Sequence, residues 1–556
     1  MKKIIKSVAF IAGVALLASC ADKLEVTPPN NIYDEQIVEM LENGTDAQKQ
    51  TILKAIVNPM AQYFNNYDRN NVCSTGSANV MNYSYVGIEW GRSLMANDVA
   101  LGYDLGSYDL AGRDLYQFVV DYRIGNSNTN YCHWTTYAYA INQANSVLGY
   151  MTEELAQKDA LFKDGRARAL LIRAYSYMCM MEEYQDAYTQ GGSSKLGLPI
   201  YKTYDPKQPA VARSTSEETW NFIKGDIQEA VSLLSGAGIG YTAGRANAED
   251  FDLGVANFLL ARAAILTGDY STCASACRAI ISSGAYSFIK PENYGGRNTG
   301  EWTPTESLEV SPVTNAFTNI NKNPETILGY AVTSSFYAQA AVFFGLTSMF
   351  SSYSSSKSTA RIDDRLYNKI SDKDVRKDAF LNFEVGDYTF PVNGAVAKIP
   401  SYASLKFSST DALNNDGTAG AGTPASTTKC DYTKFRLSEV YLMLAEALCQ
   451  SGNDGEAKNV LNELLAARAK DGETLTVDDY ASAGSTLDIV KLQWSIEMWG
   501  EGGREYYNNK RWGVNVDRTG STVHPKIVSY PANKMTLAMP EREMQDNPEC
   551  VDNQLN

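Results

Sequence analysis

Residues 432–470 read YTKFRLSEVYLMLAEALCQSGNDGEAKNVLNELLAARAK, and residues 492–512 read LQWSIEMWGEGGREYYNNKRW. The stretch from Tyr432 to Trp512 decides the fold. In its first half, apolar residues recur at spacings of three and four, as on the buried face of a helix: Leu437, Val440, Tyr441, Leu444, Ala445 and Leu448. The breaker cluster SGNDG (451–455) separates this stripe from a second one, formed by Val460, Leu461, Leu464 and Leu465. Two helices joined by so short a loop pack antiparallel.

The same pattern occurs earlier, in ANFLLARAAILTGDYSTCASACRAIISSGAYSF (256–288). Gly268 is followed five residues later by Cys273, and Gly452 is followed five residues later by Ala457. Small residues at these positions would let the second helix of each hairpin lie close to the first. Repeated helical hairpins bury their apolar faces only by stacking on one another. We therefore predict a mainly α fold in which tetratricopeptide-like helical hairpins form a scaffold.

The composition excludes several classes of function. The 556-residue chain has a formal net charge of −15, and its Lys and Arg residues form no cluster of the kind that binds nucleic acid. The two histidines, His133 and His524, are too few to favour a histidine-based metal or acid–base site. Cys273 and Cys277 have no further zinc ligands nearby, so we expect small core residues there. We expect no metal and no cofactor.

The N-terminal residues MKKIIKSVAFIAGVALLASC (1–20) combine lysines with an apolar run that is too short to span a bilayer comfortably. We expect residues 1–19 to be a signal peptide. The ending LASC resembles a bacterial lipobox, in which the cysteine is lipidated and becomes the first mature residue. The alternative is an ordinary signal peptide with an incidental cysteine. Lipid on Cys20 would anchor the protein to a membrane without a transmembrane helix.

The remaining pattern divides the chain into regions. Helices are predicted for residues 46–67, 133–151, 165–188 and from 213 to about 234. Ser214 or Ser216 can cap the last of these, supported by Glu217 or Glu218. Residues 68–130 are rich in Gly, Asn, Ser, Tyr and Asp, and are predicted to be mostly loops on the ligand side. The predicted organisation is a signal peptide (1–19), an N-terminal helical region (20–290), an irregular inserted subdomain (291–430) and a C-terminal helical region (431–556).

Short motifs follow one another in order along nearly the whole chain. A first helix carries Trp134, Tyr137, Ile141, Ala144 and Asn145, and a second carries Ala169, Arg173, Ala174 and Tyr175. Later motifs are formed by Leu437 to Leu448, by Glu497, Gly502, Arg504, Arg511, Trp512 and Gly513, and by Pro540, Glu543, Asn547, Pro548 and Asn553. This order resembles the SusD/RagB family of nutrient-binding outer-membrane lipoproteins of Bacteroidetes. Trp494 departs from the family's usual Arg.

The resemblance implies a cell-surface protein, held at the outer membrane by lipid on Cys20. Asp22, Lys23 and Glu25 resemble the acidic signal that sends such lipoproteins to the surface. Such proteins bind a nutrient, commonly an oligosaccharide, and pass it to a TonB-dependent, SusC-like transporter. They bind their ligand without catalysing a reaction.

Aromatic rings stack on the apolar faces of sugars, and amide or acid side chains bind the hydroxyl edges. The candidate ligand-binding residues in the first loop region are Trp90, Asn97, Asp98, Tyr103 and Tyr108. Tyr294 and Trp302 are added from the inserted subdomain. Each of these residues could instead be a packed or merely exposed side chain.

Glu497 and Glu501 lie four residues apart and could be a catalytic carboxylate pair. Because Arg504 and Arg511 share the segment, a charge network that braces the last helices is the preferred interpretation. Asn414 to Gly417 lacks the acidic spacing of a calcium loop and is interpreted as a solvated turn. The rival functions are a tetratricopeptide-like scaffold for protein partners, a peptide-binding surface lipoprotein and a surface glycoside hydrolase.

Overall fold

The structure is a computed structural model, and it describes the following residues: 34–56, 85–100, 124–205, 207–242, 250–296, 315–317, 320–330, 360–381, 388–392, 395–399, 401–407, 431–524 and 527–553. The predicted signal peptide (1–19), Cys20 and the sequence 414–417 lie outside these residues. None of the helices in the described part of the chain combines the length and the apolar sequence that a membrane crossing needs.

The described chain is mainly α-helical, as the sequence predicts. In its N-terminal half the helices are α1 (Asp34–Asn43), α2 (Asp46–Ile56), α3 (Tyr85–Met95), α4 (Asn128–Tyr150), α5 (Glu153–Lys158), α6 (Ala160–Tyr184), α7 (Ser216–Gly236), α8 (Leu253–Leu266) and α9 (Tyr270–Ser282). In its C-terminal half they are α10 (Asp364–Tyr367), α11 (Leu437–Gln450), α12 (Asp454–Ala466), α13 (Thr486–Glu497), α14 (Arg504–Trp512) and α15 (Glu541–Asp546).

The strands are short and pair antiparallel in twos. The pairs are β1 (Val99–Ala100) with β5 (Arg361–Ile362), β2 (Leu196–Pro199) with β3 (Arg213–Thr215), β4 (Thr326–Tyr330) with β8 (Tyr432–Arg436), β6 (Tyr388–Val392) with β7 (Ala395–Ile399), and β9 (Val516–Asp517) with β10 (Ser529–Tyr530). Short 3₁₀ helices lie between them at Tyr188–Gln190, Gly192–Ser194, Pro291–Asn293, Ile320–Lys322, Val375–Ala379, Val477–Ala483 and Ala532–Lys534.

The two predicted hairpins are confirmed as α8–α9 and α11–α12. Gly452 ends α11 with a φ of +77°, a left-handed conformation that glycine adopts without a side-chain clash. The N–H of Asn453 then donates to the carbonyl of Leu448 at 2.9 Å and closes the turn. Cys273 and Ala457, the small residues at equivalent positions, are both fully buried. Helix α9 packs against α11, so the hairpins stack as expected.

Three helices differ from their predicted bounds. The helix predicted for 133–151 is Asn128–Tyr150, and the helix predicted to begin at 213 begins at Ser216. The helix predicted for 165–188 begins at Ala160 and ends at Tyr184, with a 3₁₀ turn following at Tyr188–Gln190. Thr215, not Ser214 or Ser216, caps α7: its hydroxyl accepts from the Glu218 N–H, and the Glu218 carboxylate accepts from the Thr215 N–H. Ser216 is instead the first helical residue and is buried.

The predicted loop region 68–130 contains a helix that periodicity did not indicate. Helix α3 is rich in small residues and has only a short apolar pattern, YVGIEWGRSLM. Its helical conformation is stabilised by tertiary contacts: the Arg92 guanidinium donates to Glu183 of α6 at 2.8 Å, and Ile88 is buried in the core. Packing here outweighs local propensity.

The described parts of the region 291–430 share their core with the helices. Strand β4 pairs with β8, which leads directly into α11. The buried apolar side chains form one connected core that extends from Ile37 to Cys550. The core therefore includes Phe317, Leu328 and Phe380 from the predicted insertion, alongside the stacked hairpins.

Candidate functional site

Residues 401–407, named here the central segment, join parts of the chain that are far apart in sequence. The Ser404 N–H donates to the carbonyl of Ala360 at 2.9 Å. The Leu405 carbonyl accepts from the Gly296 N–H at 3.1 Å, and the Asn315 side-chain amide donates to the Lys406 carbonyl at 3.1 Å. The central segment thus contacts both ends of the sequence 297–314 and one end of 331–359.

Strand β1 brings a further segment to the same place. Val99 pairs with Ile362 and Ala100 with Arg361, and Arg361 also bridges to Ala403 of the central segment. Ala100 is the last described residue before 101–123. The described residue before that sequence therefore pairs with Arg361, which follows Ala360 at the other side of 331–359.

The sequence 408–430 also begins and ends here. Phe407 packs its ring edge-on against Phe317 with centroids 5.8 Å apart. The carboxylate of Asp431 accepts from the Ile320 N–H at 3.0 Å. Tyr432 pairs with Tyr330, and its hydroxyl donates to the carboxylate of Glu89 on α3.

We name the place where these segments begin and end the loop-base region. Its members are seven of the eight described residues that flank these segments: Ala100, Gly296, Asn315, Tyr330, Ala360, Phe407 and Asp431. The eighth, Ile124, follows 101–123 and is not a member; its carbonyl accepts from the Asn130 side chain. The segments that leave it are 101–123, 297–314, 331–359 and 408–430. They carry three of the predicted ligand-binding residues, Tyr103, Tyr108 and Trp302, which lie outside the described residues.

The other predicted residues have described backbone positions. Trp90 lies in α3, next to Glu89 of the loop-base contacts; its side chain is not among those described. The side-chain oxygen of Asn97 accepts from the Asp517 N–H at 3.0 Å, which ties it to β9. Asp98 is buried, and burial followed by the nearby Glu505 carboxylate raises its pKa well above the ordinary value. Asp98 is therefore enclosed and does not reach a ligand surface, whereas Asn97 is partly exposed.

Tyr294 requires a correction, because it is a core residue in this structure. It is 1% exposed. Its ring lies edge-on to Phe317 with centroids 4.9 Å apart, and the Arg468 guanidinium stacks 4.8 Å from its centroid. A ring enclosed in this way offers no free face to a sugar. Aromatic type and position in an irregular region did not distinguish this packing residue from a surface platform.

Glu497 and Glu501 belong to a buried network of charges. Glu497 is fully buried and accepts from Arg376 at 3.0 Å, from Arg436 at 2.7 Å and from Arg468 at 2.8 Å. These guanidinium groups hold the pKa of Glu497 well below its usual value against the opposing effect of burial. Both carboxylate oxygens are engaged, so neither is free to act on a substrate.

The preferred interpretation of this motif as a brace is confirmed, although its partners differ from those expected. Arg504 pairs with Glu439 of α11 at 2.9 Å rather than with Glu497 or Glu501. The carboxylate of Glu446, also on α11, accepts from both Arg511 and the Trp512 indole N–H. The motif from Glu497 to Gly513 therefore attaches α14 to α11. Sequence spacing could not reveal partners that lie so far away along the chain.

Among the described residues, no three His, Cys, Asp or Glu side chains are grouped as a metal site would require. His133 and His524 lie in different surroundings: His133 is next to Arg92 and Glu183, and His524 is next to Asp363. Burial lowers the pKa of both rings.

Two family models match the chain and together extend over most of it. Residues 296–552 match the model of the SusD family, and residues 45–239 match a model described as starch-binding associating with outer membrane. The chain belongs to the SusD/RagB family. Membership of this family explains the order of the motifs described above. The buried charge network of the motif from Glu497 to Gly513 is part of a SusD-family core. We find no significant match among curated protein sequences.

Solved structures share the fold of this SusD-family chain. A SusD superfamily protein from Bacteroides vulgatus aligns with a TM-score of 0.66 at 19% identity, over 91% of this chain and 98% of the other. A SusD-like carbohydrate binding protein from Bacteroides vulgatus gives 0.59 at 20%, over 86% and 88%. Surface glycan-binding protein A from Bacteroides fluxus gives 0.60 at 16%, over 92% and 99%.

Proposed function

We propose that this SusD-family chain binds an oligosaccharide with the segments that leave the loop-base region, and that it delivers this ligand to a SusC-like TonB-dependent transporter. The observation that carries the proposal is that Gly296, Asn315 and Ala360, three of the residues that flank these segments, are hydrogen-bonded to residues 404–406 of the central segment. Loops fixed at their bases by a rigid scaffold are the usual place for binding residues. Here the scaffold is the stacked helical core, to which the central segment is joined.

The content of these segments favours a sugar. Tyr103, Tyr108 and Trp302 supply flat apolar surfaces of the kind that stack on pyranose rings. Trp90 lies on α3 next to Glu89, whose carboxylate accepts from the Tyr432 hydroxyl at the loop-base region. The matched family model names starch binding, and solved relatives are named for carbohydrate and glycan binding. We extend that ligand class to this chain.

The proposed location is the outer surface of the outer membrane, with lipid on Cys20 as the anchor. The lipobox-like ending LASC supports this anchor, and the matched model is described as associating with the outer membrane. Attachment to the surface beside a transporter would let a binding protein contribute to nutrient uptake. The carboxylates of Glu497 and Glu501 are engaged by arginines, which favours binding over hydrolysis at this pair.

The test of ligand class uses the soluble chain that begins after Cys20. It is run in native gels that contain soluble starch or one of a panel of plant, host and microbial polysaccharides. We expect at least one polysaccharide to retard the wild-type protein. Trp90→Ala and Trp302→Ala should abolish this retardation, whereas Tyr204→Ala should not, because Tyr204 is an exposed aromatic residue outside the loop-base region.

The outcomes separate the rival functions. Retardation that survives both tryptophan substitutions would preserve glycan binding and reject these two residues. Release of new reducing ends from a bound polysaccharide would indicate a hydrolase. Absence of retardation by every polysaccharide would favour a scaffold or a peptide-binding lipoprotein. Co-purification of the lipidated protein with a SusC-like transporter, lost in Cys20→Ala, tests the delivery step.

A further inference from the structure

Tyr402, the second residue of the central segment, has a left-handed backbone. Its φ is +67°, and within the described ranges it is the one residue other than glycine with a positive φ. A residue with a Cβ is disfavoured in this conformation, which glycine adopts freely. The chain therefore has a tyrosine at a position where a glycine would be less strained.

Hydrogen bonds on both sides hold Tyr402 in this conformation. Its N–H donates to the carbonyl of Leu381, and its carbonyl accepts from the Ile362 N–H at 3.1 Å. The next residue, Ala403, bridges to Arg361, and its carbonyl accepts from the Leu381 N–H at 2.9 Å. The surrounding structure thus maintains the strain at Tyr402. Strain that is maintained in this way is concentrated at functional positions in proteins.

The side chain of Tyr402 is partly exposed. Its ring packs edge-on against the ring of Tyr367, with centroids 5.1 Å apart and an angle of 67° between the planes. This contact fixes the position of the ring while part of the side chain stays accessible to solvent. The Tyr402 hydroxyl forms no hydrogen bond with the part of the chain that the structure describes.

Two charged groups lie next to these rings. The Lys377 ammonium is 5.1 Å from the centroid of the Tyr367 ring. The Asp364 carboxylate is close enough to Tyr402 to raise the pKa of its hydroxyl, in addition to the larger effect of burial. We name these four residues, Tyr402, Tyr367, Lys377 and Asp364, the Tyr402 surface. It combines an accessible aromatic ring with polar groups, as binding of a sugar requires.

We propose that Tyr402 binds the glycan directly, with its ring stacked on an apolar face of one sugar unit. This inference rests on the proposed function, because it takes the ligand to be a glycan. It adds a binding residue that lies in the described part of the chain and that its aromatic type alone does not distinguish. If the ring served only to pack on Tyr367, the strain of the backbone would be a cost without a compensating role.

The first experiment measures stability and needs no glycan. Urea unfolding is compared in wild type, Tyr402→Gly and the matched control Tyr204→Gly, which changes an exposed tyrosine without a positive φ in the same way. Tyr402→Gly relieves the left-handed strain, so its unfolding midpoint should be no lower than that of wild type. Tyr204→Gly only makes the unfolded chain more flexible, so its midpoint should be lower. A lower midpoint in Tyr402→Gly than in both other proteins would show that the ring is needed for packing and would overturn the proposal.

The second experiment measures binding in native gels that contain soluble starch, or the polysaccharide of the panel that retards the wild-type protein. Tyr402→Gly should bind at least about tenfold more weakly, which is the effect of losing one stacked ring. Tyr402→Phe keeps the ring and should bind nearly as well as wild type, and Tyr204→Gly should bind equally well. The expected result is therefore a variant that is at least as stable as wild type and has lost affinity.

The other outcomes are distinguishable. If wild type and Tyr402→Gly are retarded equally, the proposed function stands and the role of Tyr402 is overturned. If Tyr402→Phe loses as much affinity as Tyr402→Gly, stacking by the ring is overturned. If no polysaccharide retards the wild-type protein, the proposed function fails, and the inference fails with it.

Discussion

Arg468 and Glu497 form an ion pair in which both side chains are fully buried, with Nη2 and Oε1 2.8 Å apart. Arg468 also donates to Glu325, just before β4, at 2.6 Å. One guanidinium therefore connects the turn after α12, helix α13 and the start of the strand that joins the region 291–430 to the C-terminal helices. The pair lies beneath the loop-base region and supports it.

Arg468→Ala should strongly destabilise the protein. Removing the cation leaves buried carboxylates short of a partner, which typically reduces the free energy of unfolding by about 3–5 kcal/mol. The control is Arg278→Ala, which removes a half-exposed guanidinium paired with the equally exposed Glu456. That change should reduce the free energy of unfolding by less than about 1 kcal/mol. Urea unfolding of both variants provides the comparison, and similar losses would contradict the role of burial.

Thr215→Ala should lower the free energy of unfolding by about 1 kcal/mol, because it removes the hydroxyl that caps α7. Ser214→Ala is the matched control: Ser214 precedes the cap and should change the value by no more than about 0.5 kcal/mol. Thermal or urea unfolding measures both. A larger loss in Ser214→Ala than in Thr215→Ala would restore the cap predicted from the sequence.

Gly452→Ala should destabilise the α11–α12 hairpin by about 1–2 kcal/mol, because an alanine must adopt the left-handed conformation there. The space around Gly452 is open, so the loss would be conformational rather than steric. Gly455→Ala tests the opposite case, since Gly455 lies inside α12 with open space around it. That variant should gain up to about 1 kcal/mol in urea unfolding. The same sign for both variants would contradict the backbone argument.

His133 should make the protein less stable in mild acid. Burial and the neighbouring Arg92 guanidinium hold its pKa well below the usual value, so the folded protein keeps the ring neutral where the unfolded chain protonates it. Stability is therefore complete above the unfolded pKa, near 6.5, and falls as the pH drops below it. One such group accounts for up to about 2 kcal/mol between pH 7 and pH 5.

The measurement for His133 is urea unfolding of wild type and His133→Asn at both pH values. His133→Asn removes this titration while His524 is retained in both proteins. We expect a smaller loss between pH 7 and pH 5 in the variant, whatever its stability at pH 7. An equal loss in both proteins would show that His133 takes up a proton in the folded protein as readily as in the unfolded chain, so that its folded pKa is not lowered.

The helical core was predictable because its signals are local. The stripe from Leu437 to Leu448 and the glycines at 268 and 452 depend only on neighbours within a turn or two, and the structure confirms the hairpins that they indicate. The helix at Tyr85–Met95 was missed because its stability comes from Arg92 and Glu183, which are 91 residues apart. No periodicity of the chain records such a contact.

The site was less predictable for the same reason. Lys406 lies in a region without regular period, and its partner Glu501 is 95 residues away. The sequence around Tyr294 does not indicate that its ring is packed in the core, and only its burial in the structure shows this. The tail motif is visible in the sequence, but its role is not. Asn547 donates to the Val211 carbonyl and Glu543 accepts from the Trp134 indole, so the tail is attached to α4 and to the residues before β3.

The central segment has an evolutionary consequence. The described residues that flank 297–314, 331–359 and 408–430 have contacts of their own: Gly296 and Asn315 bind the central segment, Ala360 binds Ser404, and Asp431 binds Ile320. Doubling the length of a loop raises the free-energy cost of closing it by only about 0.6 kcal/mol. Changes in the length of these three sequences can therefore leave the flanking contacts intact. Descendants of such a gene can acquire insertions, deletions and new aromatic residues there, so that a lineage that meets a new polysaccharide can adapt to it without rebuilding the helical core.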